Sequence, residues 1–181
     1  MPTIIRDVTA EDLERISEIN RGAMPDVNDI PPERLAAFLR HSDYFRVATR
    51  DGEIAAFLIA LLPGHEYESE NYRWFLGHAL NFVYIDRVVV DSAFRGLGIA
   101  NVLYADVQSF AEQRAPVLTC EVYLSPRNDV SMLFHGAQGF HEVGRQRLPD
   151  GRHVSLLSKP LPSFDYVERQ YGSPTLESVD G

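Results

Sequence analysis

The chain is short of several things. It has one cysteine, Cys120, in 181 residues. An intramolecular disulfide and a cysteine-built zinc cluster are therefore both excluded. Cys120 falls in the apolar run VLTCEVYL, where a small buried hydrophobe is the simplest reading. No apolar run approaches the roughly 18 residues of a membrane span. The start, MPTIIRDVTAED, lacks the basic-then-apolar pattern of a secretion signal. A cytoplasmic protein without membrane contact is the expectation. Lysine is nearly absent too: Lys159 stands alone among 17 basic residues, a bias that carries no functional inference. Positive charge is outweighed, and the net charge of −9 argues against a nucleic-acid partner, because phosphate contacts need basic surface. It suits cationic or neutral small substrates, although acidic solubility explains it equally well.

What is present is an ordinary globular composition, 45% hydrophobic and 24% charged, sufficient for one domain with a real core. Residues 3–8 (TIIRDV) read as a strand. A helix follows from Thr9, where Asp12 three residues on resembles a capping box. A second helix starts after Pro31-Pro32. YFRVATRDGEIAAFLIALL reads as a hairpin turning at Asp51-Gly52. Residues 63–81, with glutamates, aromatics and two histidines, break the period and read as a functional loop or as a short helix over 72–80. FVYIDRVVV (82–90) is a buried central strand. A helix is expected over 97–114, with Ile99, Val102, Leu103, Val107 and Phe110 on one stripe. VLTCEVYL (117–124) is another buried strand, and a short helix with a capped start and a glycine stop follows in NDVSMLFHGAQGF (128–140). A last hairpin spans Phe140–Arg147 and His153–Ser158. The expected domain is 1–160, with 161–181 a loosely attached tail. The order is β-α-α-β-β-loop-β-α-β-α-β-β, an α+β chain with a mixed, mostly antiparallel sheet flanked by helices.

Between the central strand and the long helix lies DSAFRGLGIA. Gly96 and Gly98 allow a tight turn that brings backbone N–H groups close to a ligand. The helix that follows points its positive end there, Arg95 adds a full charge, and no acid occurs in the helix before Asp106. An anion site is the direct inference. A P-loop is excluded because no Lys-Ser/Thr pair follows the glycines. A dinucleotide fold fails on Asn101 at the third glycine position and on an antiparallel first half.

These features resemble the GNAT superfamily of acetyl-CoA-dependent N-acetyltransferases. Arg95, Gly98 and Ala100 match the family's Arg/Gln-x-x-Gly-x-Gly/Ala signature, directly after Val88-Val89-Val90. Asn128 with Gly139-Phe140 matches its second signature, and the element order agrees over about residues 3–159. RWF, YIDRVVV and FHxxxGF are similar to a bacterial subgroup of predicted acetyltransferases of unassigned substrate. The resemblance implies the GNAT acyl-CoA N-acyltransferase fold, with acetyl-CoA as co-substrate and no metal. Residues Arg95, Gly96, Leu97, Gly98, Ile99 and Ala100 would hold the pyrophosphate, and the backbone of Val88, Val89 and Val90 the pantetheine arm and acetyl carbonyl. Asn128 and His135 would meet the thiol end.

Acetyl transfer to an amine needs a base, because an alkylammonium has a pKa near about 10. Asp86 is the first candidate, since a charge in a buried strand is costly unless paired or functional. In a regular strand Asp86 and Arg87 leave opposite faces and cannot pair, so a structural Asp86 would need another arginine, such as Arg73. Glu121 is the competing base. On a helix at about 100° per residue, Val130, Leu133, Phe134 and Ala137 share one apolar face and His135 lies roughly 150° from its centre. That places His135 towards solvent or towards a groove. The resemblance puts it where family members carry a thiolate-protonating tyrosine, so His135 is expected as the general acid or a cofactor contact. Residues 63–81, through Glu66, Glu68, Glu70, Tyr72 and Trp74, are the expected acceptor wall, with Tyr84 on the next strand as a further contact. The expected function is N-acetylation of a small-molecule primary amine by direct attack, in a monomer or homodimer. The competing reading is a non-catalytic acyl-CoA-binding module.

Overall fold

The computed structural model describes residues 2–172. Its seven strands form one sheet in the order β1-β2-β3-β4-β5-β7-β6, in which only β4 and β5 run parallel. The strands are β1 (Ile4–Asp7), β2 (Tyr44–Arg50), β3 (Glu53–Leu61), β4 (Val83–Val90), β5 (Val117–Ser125), β6 (His141–Arg147) and β7 (His153–Pro160). The helices are α1 (Leu13–Gly22), α2 (Pro32–His41), α3 (Glu70–His78), α4 (Ile99–Glu112), α5 (Asp129–Ala137) and α6 (Ser163–Tyr171). The expected α+β architecture with a mixed, mostly antiparallel sheet is the one found.

Period-2 alternation distributes the core over both faces of the sheet. On β3, Ala56, Leu58 and Ala60 pack with Leu103 and Val107 of α4. Phe57, Ile59 and Leu61 face the other way, towards Ile16 of α1, Leu35 of α2 and Phe75 of α3. At the N-terminus the expected capping box is present as a single 3-10 turn ahead of α1, closed by Thr9 and Asp12. A bidentate hydrogen bond from Arg6 (2.7 and 2.8 Å) holds Asp12 down at a pKa of about 2. The β2–β3 turn places Asp51 and Gly52 at φ 55° and 84°, as an Asp-Gly hairpin requires.

One expectation shifts. Val102 is 40% exposed, and the buried stripe of α4 runs instead through Ile99, Leu103, Tyr104, Val107 and Ala111. In the region expected to be a loose tail, Leu161 is buried and its N–H reaches the Pro116 carbonyl (2.8 Å), while α6 itself buries no residue. Residues 173–181 of that region lie outside the described ones.

Two features of β4 and β5 create the site. Their parallel pairing covers only Val83↔Leu118 and Tyr84↔Thr119. Beyond that point, residues 85–90 and 120–123 line opposite sides of a cavity of about 850 Å³. Alternate residues of β4 turn their N–H and C=O away from β3, and on the β5 side no strand takes them up among the described residues. The second feature is a bulge: Ile59 pairs with Arg87 but Ala60 pairs with Ile85, so Asp86 is the extra residue.

Candidate active site

One end of the cavity is the glycine turn. Gly96 and Gly98 have φ of 77° and 75°, and a Cβ on either would meet nothing within 4 Å. Backbone conformation, not space, is what demands glycine there. Gly98 is the N-cap of α4, whose first turn holds no acid. Arg95, Gly96, Gly98, Ile99 and Ala100 all line the cavity, whereas Leu97 is 48% exposed outside it. Free N–H groups, a helix N-terminus and one guanidinium form a cradle suited to a pyrophosphate. Val88, Val89 and Val90 line the next stretch, and Asn128 lines the opposite wall. The Asn128 side chain caps α5, accepting from Ser131 N at 3.1 Å.

His135 overturns the helical-wheel reading. It is 4% exposed, whereas Val130 and Leu133 of the supposed core face are 81% and 76% exposed. The helix packs through Ser131, Phe134 and His135 because that stripe satisfies the buried Tyr104 hydroxyl and stacks His135 edge-on against Phe140. Hydrophobicity alone does not register such a partner. His135 Nδ1 lies 2.7 Å from the Ser131 carbonyl, which can only accept, so Nδ1 carries the hydrogen. Nε2 therefore accepts from the Tyr104 hydroxyl at 2.6 Å. Burial lowers the His135 pKa. The ring still borders the cavity, beside Tyr104.

The Asp86 geometry also differs from expectation. The bulge abolishes strict alternation, so Asp86 and Arg87 do pair: Arg87 Nε donates to Asp86 Oδ2 at 2.8 Å. Arg73 instead meets Glu70. Asp86 also accepts from the Tyr67 hydroxyl. Arg87, itself buried, donates to the Asn20 Oδ1 (3.0 Å), the Asn28 carbonyl (2.9 Å) and the Asn28 Oδ1 (2.9 Å). The ion pair thus ties the 62–69 loop to the α1–α2 connection.

Glu121 lines the cavity from β5, across from Asp86. Burial, with the Asp86 charge adding to it, pushes Glu121 up to about 8, against hydrogen bonds from Tyr84 and Asn71 that lower it. The Tyr84 hydroxyl donates to Glu121 Oε2 at 2.8 Å. Cys120, next in the chain, is buried, and burial raises its pKa well above an ordinary thiol; it is a poor nucleophile there.

The expected acceptor wall is corrected in part. Tyr72 is fully buried, donating to the Leu62 carbonyl at 2.7 Å. Tyr84 is also buried in the core, and Trp74 stacks on His78 and covers Gly144. None of the three lines the cavity, because α3 presents Tyr72 and Trp74 to the sheet and to β6, and β4 turns Tyr84 into the core. Glu68 and Glu70 do line it, with Tyr67, Ser69 and Asn71, while Glu66 borders a second, smaller cavity. Asp26 and Asn28, Arg34, Asp150 and Arg152 complete the mouth. Tyr67, Asn71 and Tyr104 were not among the expected site residues, and Arg87 had been given no role; none of them carries a local pattern that marks it in the sequence. No group of three or more His, Cys, Asp and Glu able to hold a metal occurs among the described residues, and no described helix is long and apolar enough to cross a membrane.

Residues 13–140 match the model of the acetyltransferase (GNAT) family. No curated protein sequence matches the chain. Among solved structures, a ribosomal-protein-alanine N-acetyltransferase from Brucella melitensis is 25% identical, with a TM-score of 0.65 over 87% of this chain and 99% of that one. Ard1 from Thermoplasma volcanium superposes with a TM-score of 0.72 at 18% identity, covering 89% and 99% of the two chains. The ribosomal-protein-S18-alanine N-acetyltransferase from Escherichia coli gives 0.66 at 18% identity, over 88% and 94%. With most of its length matched by the family model, and with a splayed β4–β5 pair leading to a glycine turn at a helix N-terminus, the chain belongs to the acetyltransferase (GNAT) family and is an acyltransferase.

Proposed function

We propose that the protein transfers an acetyl group from acetyl-CoA to the primary amine of a small molecule, with Glu121 as general base. The observation that carries this reading is a carboxyl group at the fork of β4 and β5, facing the cavity and titrating near 8. A base works best when its pKa lies near the working pH. Acetyl-CoA, when bound, supplies the activated acyl carbon. Arg95 and the N–H groups of residues 96–100 suit its pyrophosphate, and the outward N–H groups among Val88–Val90 suit the carbonyl oxygen on which charge builds. Glu121 takes one proton from the acceptor ammonium. The nitrogen gives up a second as the amide forms, balancing the one that sulfur gains.

Within this reading Asp86 is not the base. Its charge is committed to Arg87 and Tyr67, and it serves by raising Glu121 and by holding both acceptor-side loops. His135 is not a free acid, since its only hydrogen lies on the Ser131 carbonyl. It positions Tyr104, the hydroxyl at that end of the cavity. Asp26, Glu68, Glu70 and Asp150 outnumber Arg34 and Arg152 at the mouth, which favours a cationic acceptor. The Brucella melitensis protein acts, by its name, on a ribosomal-protein alanine, so peptides with a free N-terminal alanine belong in the comparison.

The test is release of free CoA thiol from acetyl-CoA across a panel of primary amines and such peptides. Turnover with small cationic amines is expected. Turnover with the peptides alone would move the acceptor class to protein N-termini. Acetyl-CoA binding without thiol release for any acceptor would favour the non-catalytic module.

A further inference from the structure

Glu121 is gripped from two other elements, and the grip reaches back to a third, through side chains that take no part in the sheet's backbone ladder. From β4, the Tyr84 hydroxyl donates to Oε2 at 2.8 Å and has Ser69 Oγ 3.4 Å away on its other side. From α3, Asn71 lines the same cavity with its amide and holds the Glu121 pKa down. From β6, Gln146 Nε2 donates to Asn71 Oδ1 at 2.5 Å. That contact leaves the Asn71 NH2 as the end available to Glu121. Tyr84 and Asn71 are buried, so their polar groups have little choice of partner. A carboxyl group that had only to sit in the cavity wall would need no such arrangement, least of all one reaching back to the outer strand of the sheet.

We propose that Tyr84 and the Gln146–Asn71 pair are positioning residues that hold the Glu121 carboxylate in one orientation towards the acceptor amine. The proposal rests on Glu121 being the base. β4 brings Asp86 and Arg87, of opposite charge, and the 62–69 loop brings Tyr67, bound to Asp86. On the remaining sides, α4 contributes the Tyr104 hydroxyl and β5 itself Cys120 and Tyr123, all neutral with raised pKa. The β7 residue paired with Glu121 is Leu156.

A hydrogen bond to a charged group is worth about one pH unit or more. Tyr84→Phe should therefore move the rising limb of kcat/KM against pH upward by about one unit, a roughly tenfold loss below the inflection. Gln146→Leu removes the hydrogen bond to Asn71 and should shift the limb the same way by less. Asp86→Asn, which removes a like charge, should shift it downward. Profiles of the three variants are compared with wild type and Glu121→Gln, each checked for folding by thermal unfolding. If Glu121→Gln loses the limb while Tyr84→Phe and Gln146→Leu keep the wild-type inflection, the positioning role is wrong. If Glu121→Gln itself keeps the limb, the base assignment has failed instead. Should Tyr84→Phe not fold, Gln146→Leu on the half-buried edge hairpin decides alone.

Discussion

At His135, the Nδ1 proton sits on the Ser131 carbonyl and the Nε2 lone pair on the Tyr104 hydroxyl, and burial keeps the ring neutral. Replacing it with alanine opens a cavity and strands the Tyr104 hydroxyl, a loss of about 2–3 kcal/mol. Urea unfolding of His135→Ala should show that loss. Its rate profile should show no limb near the ordinary histidine range that wild type has and the variant lacks; such a limb would restore His135 as the acid. Asn128 and Gly139 were legible as cap and stop, since each acts through its own backbone neighbourhood: Asn128 accepts from Ser131 N, and Gly139 takes φ 88°. The orientation of His135 was not, because it depends on a tyrosine 31 positions earlier in the chain.

Among the elements, β4 carries the most function per residue. Its hydrophobic pattern marks a central strand, but the bulge at Asp86 depends on the register against β3, and no pattern within β4 encodes that. The bulge is what lets adjacent residues of opposite charge pair and grip Tyr67 and Asn28. Removing one partner of a buried ion pair leaves the other uncompensated. Arg87→Met should accordingly cost about 3–5 kcal/mol in chemical unfolding. Asp86→Asn should raise KM for the acceptor more than for acetyl-CoA, since the loops it ties border the acceptor mouth and not the glycine turn. Equal effects on the two KM values would contradict that division. In α5 the exposed pair Val130 and Leu133 misled the helical count; in α4, with a longer stripe, Ile99, Leu103 and Val107 were placed correctly, and Tyr104 and Ala111 are buried where Val102 and Phe110 were expected.

For the molecule as a whole, the order of elements along the chain and the fold class followed from local signals: the Asp-Gly turn, the β-branched run of β4 and the glycine turn before α4. The cavity walls did not, because they come from segments far apart in sequence. The Glu121 carboxyl also leaves a mark on global stability. Its pKa is about 8 when folded and 4.5 ordinarily, so between those values the folded chain keeps a proton that the unfolded chain has lost. Stability should fall as pH rises through that window, by up to about 1.4 kcal/mol per unit from this group, and level off above it. Glu121→Gln should flatten that slope in denaturant midpoints taken at about pH 6 and about pH 9; an unchanged slope would show that Glu121 is not held protonated. The most direct test of the central claim is kcat/KM against pH for a turned-over amine, in wild type and in Glu121→Gln. Wild type should rise to a plateau with its inflection near 8, and the variant should keep a low rate without that inflection. A variant that reproduces the wild-type curve would contradict it.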